Sequence, residues 1–96
     1  MNKKDIKKIQ KLYIAAKAQY TFWKEQNETP VSGLEEKHML RARKNYVMIM
    51  DMCDMLEVEK PIISDNVALK VYNRWIDSPY DSFYDKEWRG FYSIIL

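Results

Sequence analysis

Two stretches of the chain repeat one hydrophobic spacing, and that repetition restricts the fold to paired helices. Ile6, Ile9, Tyr13, Ala16, Tyr20 and Trp23 recur at steps of three, four, three, four and three residues. Met39, Ala42, Tyr46, Ile49, Cys53 and Leu56 recur at the same steps. A mean step of about 3.5 residues keeps one apolar stripe on one side of a helix, facing a partner helix. Between the stripes, Glu28-Thr29-Pro30-Val31-Ser32-Gly33 leaves room only for a reversal of direction. The pattern therefore predicts an antiparallel two-helix hairpin. Heptad spacing does not distinguish a partner in the same chain from a second copy, so homo-oligomerisation through this seam is a further expectation.

The first helix is expected from about Lys4 to about Asn27, with Ala15, Ala16 and Ala18 favouring helix intrinsically. A second begins where Ser32 and Glu35 match a capping box, each side chain satisfying the other residue's backbone N–H. It runs to about Glu57 and stops before Pro61. From Tyr46 to Leu56 only Asp51 and Asp54 are charged, so this helix is apolar on more than one side. The rest of the chain, or another copy, has to cover what the hairpin leaves. A third helix follows Ser64 or Asp65, both good N-caps, with Ala68, Val71, Tyr72 and Trp75 on one side and Asn66, Lys70, Asn73, Arg74 and Asp77 on the other. Pro79 ends it. Read as a fourth helix, the tail aligns Tyr80, Tyr84 and Trp88 in one row and Asp77, Asp81 and Asp85 beside it. Residues 91–96 either extend that helix or lie extended, and their apolar character calls for docking on the second helix. The fold expected is all-α: one helical domain over residues 1–96, a bundle on a long antiparallel hairpin with two shorter C-terminal helices packed across it.

Composition narrows the function classes. Two glycines and three prolines in 96 residues argue against a turn-rich β-protein, and no strand-type alternation persists. The single cysteine, Cys53, rules out a disulfide within one chain and fits a reducing compartment. No apolar run approaches the roughly 20 residues of a membrane span. The basic start Met1-Asn2-Lys3-Lys4-Asp5 lacks the apolar core of a secretory signal, so a cytoplasmic location and no membrane partner are expected. There is no glycine-rich phosphate loop, no histidine paired with a nucleophile and no metal quartet. No catalytic residue, metal or cofactor is therefore assigned.

Charge is distributed unevenly. Residues 1–44 hold 11 Lys/Arg against 5 Asp/Glu, a balance of +6, and residues 45–96 hold 5 against 9, a balance of −4. The N-terminal lysines (Lys3, Lys4, Lys7, Lys8 and Lys11) meet Asp51, Asp54, Glu57 and Glu59 across an antiparallel hairpin, so internal compensation is the first expectation. Lys4, Lys8, Lys11, Lys37, Arg41 and Lys44 form the candidate face for nucleic acid or an acidic partner. His38, the only histidine, is expected at the seam's edge in water. Met48, Met50, Met52 and Met55 read as filling for an irregular core.

Eight of the thirteen aromatics fall between Tyr72 and Tyr92, interleaved with acids, and this is the least ordinary feature. Some of them close the core over the second helix. Tyr80, Asp81, Tyr84, Asp85 and Trp88 form the candidate partner-binding surface, because exposed aromatics bring large contact area at low entropic cost. The function expected is a non-enzymatic protein-interaction module that inhibits or adapts another protein, such as a nucleic-acid-handling complex. A small DNA-binding regulator using the basic hairpin face is the alternative, because an acidic recognition helix would repel phosphates. In size and style the chain resembles small helical accessory proteins of phages and mobile elements, among them anti-CRISPR and other counter-defence proteins. That resemblance is of general character and transfers no residue roles.

Overall fold

The computed structural model describes residues 2–75, and among them it holds three helices and no strand: α1 (Lys3–Glu28), α2 (Glu35–Met55) and α3 (Asp65–Trp75). The first two form the antiparallel hairpin that the spacing predicts. Tyr13 lies against Tyr46 with ring centroids 5.6 Å apart, and Trp23 lies against His38 at 4.6 Å, so the start of α1 faces the end of α2. Both heptad stripes meet inside one chain: Ile9, Leu12, Tyr13 and Ala16 bury against Ile49 and Cys53, with Ile6, Tyr46 and Leu56 around them. Burying one such aliphatic side chain stabilises the fold by about 1.5–3 kcal/mol, so this seam is the main adhesive of the hairpin.

Four of the helix ends are set by local devices. Asn2 Oδ1 accepts from the Asp5 backbone N–H at 2.9 Å and caps α1. At the start of α2 one half of the expected capping box forms. Glu35 Oε1 accepts from the backbone N–H groups of Ser32 (2.8 Å) and Val31 (2.9 Å), whereas Ser32 Oγ accepts from Leu34 N–H at 3.2 Å. Those two backbone donors, Ser32 foremost, hold the Glu35 carboxyl at about 2, far below its ordinary 4.5. Gly33 takes φ +82° in this turn, the left-handed region that a side chain would disfavour.

The end of α2 comes two residues before the expected Glu57, and the reason is a Schellman motif. Val58 N–H donates to Cys53 O at 2.9 Å and Glu57 N–H to Asp54 O at 3.3 Å, while Glu57 adopts φ 55°. Val58 then folds back into the seam. Glutamate, rather than glycine, occupies the left-handed position. That choice costs about 1–2 kcal/mol and hides the stop from a search for helix-ending glycines. The α3 start follows expectation, with Ser64 Oγ accepting from Val67 N–H at 3.2 Å.

The third helix packs on α1 and does not meet α2 among the described residues. Ala15 and Ala18 of α1 are fully buried against Ala68 and Tyr72, with Phe22, Ile63 and Val71 around them. Small side chains on both helices permit close approach, and the Phe22 and Tyr72 rings stack at 3.9 Å with 7° between their planes. Helix α1 is therefore the middle of the bundle, with α2 on one side and α3 on another. The connection between them runs along α1: Gln10 Nε2 donates to Glu59 O at 3.0 Å and Lys17 Nζ to Ile63 O at 2.7 Å. Gln10 and Lys17 stand seven residues apart, two helical turns, so both reach the same passing strand of chain. No helix among the described residues is long and apolar enough to cross a membrane.

Candidate interaction surface

Because α3 sits on α1, the outward side of α2 keeps its apolar residues uncovered by α3. Leu40, Lys44, Val47, Asp51 and Met55 recur along it at steps of four, three, four and four residues, a single helical face. Leu40, Val47 and Met55 are 49%, 41% and 79% exposed. Leu40, Arg43, Lys44, Val47, Met48 and Asp51 line one shallow depression of about 410 Å³, every wall of it supplied by α2. Its charges are segregated, with Arg43 and Lys44 toward the N-terminal half and Asp51 toward the C-terminal half. Another depression, about 270 Å³, is polar and lies where α1 ends beside the start of α3, lined by Thr21, Lys24, Glu25, Glu28 and Asp65. Among the described residues no group of three His, Cys, Asp or Glu side chains is placed to hold a metal ion.

The residues singled out from the sequence fall in three places. Lys4, Lys8 and Lys11 lie on the first half of α1, beside the end of α2. Lys37, Arg41 and Lys44 lie on the first half of α2, beside the end of α1. The hairpin thus puts the two basic groups in opposite halves rather than in one patch. All six are exposed except Lys8, which is half-buried. Tyr80, Asp81, Tyr84, Asp85 and Trp88 lie outside the described residues, as do the Pro79 break, the tail helix and residues 91–96. Asp54 pairs with Lys60, just beyond its own helix end, and not with a lysine of α1; the hydrogen bond raises the lysine's pKa.

Three side chains have surroundings of their own. Cys53 is fully buried in the seam, and burial pushes its thiol pKa up. The Tyr46 hydroxyl lies 3.3 Å from that of Tyr13, and burial, with that contact, pushes it up to about 12. His38 is half-buried against Trp23 rather than fully in water. Of the methionines, Met48, Met50 and Met52 pack partly against the seam, whereas Met55 points outward.

The α2 stripe escaped reading from the sequence because the seam residues on the same helix carry a cleaner period. Its signal was present: Leu40, Val47 and Met55 fit no position of the seam. The Gln10 and Lys17 clasp gives no advance sign, since backbone carbonyls of an irregular segment leave no pattern. What the fold and this surface define is an all-α hairpin bundle in which, among the described residues, no helix covers the outward face of α2. No family model, curated protein or solved structure matches the chain.

Proposed function

We propose that this protein is a non-enzymatic interaction module that works by covering a surface of another protein, inhibiting or adapting it. The observation that carries the reading is the outward stripe of α2, where three large apolar residues stand exposed in line on one helix. Aligned apolar exposure of this kind marks a docking face, because a monomer otherwise leaves such residues scattered. The acidic–aromatic residues Tyr80, Asp81, Tyr84, Asp85 and Trp88 add a second contact of the type that basic, nucleic-acid-handling proteins accept. The size and helical style shared with phage-type counter-defence proteins support the same reading at the level of general character. Separation of the two basic groups along the hairpin favours a protein over a nucleic acid as the main partner, since a phosphate track needs its cations in one continuous run.

The test is affinity capture with the full chain from a nuclease-treated bacterial lysate. One stoichiometric protein, lost with the Tyr84→Ala/Trp88→Ala variant while its helical circular dichroism persists, is the expected result. Recovery of nucleic acid alone, released by salt, would replace this reading with the regulator.

A further inference from the structure

The outward face of α2 has a property that a generic docking face lacks: it is complementary to itself when reversed. Around a point between Val47 and Met48, Lys44 lies as far to one side as Asp51 lies to the other. Leu40 and Met55 are matched about the same point. Reversal therefore exchanges basic with acidic and apolar with apolar. Two copies related by a two-fold axis through that point bury the same patch on both, as a closed dimer requires.

We propose that a second copy of this chain docks on this face, α2 against α2 in antiparallel, with Lys44 of each copy opposite Asp51 of its mate, Leu40 opposite Met55, and Val47 and Met48 at the axis. This rests on reading the α2 stripe as an interaction surface and names its occupant. Three observations carry it: the stripe is exposed, α3 does not cover it, and its charges are segregated in the order that antiparallel self-pairing needs. Parallel pairing would set Lys44 against Lys44 and Asp51 against Asp51, so charge selects the antiparallel orientation. The heptad seam is not the surface involved, because both its stripes face each other within one chain. The span from Leu40 to Met55 is about 22 Å of helix, a small interface, so a reversible dimer of micromolar strength is the expected scale.

Analytical ultracentrifugation of the full chain tests this with two charge reversals and their mixture. Wild type dimerises. Lys44→Asp alone and Asp51→Lys alone each weaken dimerisation by about a hundredfold, because each brings like charges together twice per dimer. An equimolar mixture of the two variants recovers the dimer, since every cross pair then joins opposite charges. Both positions are exposed, and unchanged helical circular dichroism confirms that each variant folds. A wild-type chain that remains monomeric at its highest soluble concentration overturns the proposal. So does a dimer indifferent to both reversals, which would place the contact elsewhere. A monomer whose lysate capture is abolished by Val47→Asp retains the docking face and assigns it to a different protein, which separates failure of this inference from failure of the broader reading.

Discussion

The two helix contacts among the described residues are built from different material. Where α1 meets α2, the joint is long and made of large side chains, Ile9, Leu12, Tyr13 and Ile49, with Tyr46 and Leu56 at its margin. Where α1 meets α3, it is short and made of alanines, Ala15, Ala18 and Ala68, closed by one stack of Phe22 on Tyr72. The first joint is held by apolar volume, the second by close approach. Large side chains can be lost only at the cost of a cavity, and small ones can be enlarged only at the cost of separation. The two contacts should therefore fail under opposite kinds of substitution.

The largest effect is expected in the long joint. Ile49 is fully buried, and Ile49→Ala should lower stability by about 2–5 kcal/mol, read as a fall in the urea midpoint. A smaller loss would mean that the seam collapses around the gap and is looser than its geometry implies. In the short joint the sharper probe is enlargement. Ala18→Leu should destabilise by about 1–3 kcal/mol, although leucine is a good helix former. If Ala18 served helix propensity alone, the same change would be close to neutral, and the comparison between the joints would break.

Next in size is a gain. Glu57 holds the left-handed position at the end of α2, so Glu57→Gly should raise stability by about 1 kcal/mol, seen as a higher melting temperature. The smallest effect concerns Glu35, whose carboxylate is held at about 2 by the Ser32 and Val31 backbone N–H groups. Its folded pKa is depressed, so its contribution is fully present above about 4.5 and disappears as pH falls toward about 2. Acid titration of stability should show that loss in the wild type and a shallower one in Glu35→Gln.

These contrasts also account for what the sequence made legible. Residues that alternate by three and four with large side chains announce themselves, and the hairpin, its seam and a cap at Ser64 or Asp65 could all be read directly. The α3 docking site could not, because alanine in a helix reads as propensity until a neighbour is known to approach it. The same ambiguity concealed the α2 stripe. Apolar residues on a second face of that helix were visible, but which element covers them depends on where α3 goes. Ala15 and Ala18, buried against Ala68 and Tyr72, supply the landing on α1. The acidic–aromatic residues from Tyr80 to Trp88 were read from their helical spacing and chemistry, and they lie outside the described residues.

The position of α3 is the pivot, since among the described residues it leaves the outward face of α2 uncovered. Nuclear Overhauser contacts of the Tyr72 ring in the full chain report it directly. Strong contacts from Tyr72 to the Phe22 ring and the Ala15 or Ala18 methyl groups, with none to Leu40 or Val47, are the expected result. Contacts from Tyr72 to Leu40 or Val47 would place α3 on α2 and close the face on which the proposed interactions depend.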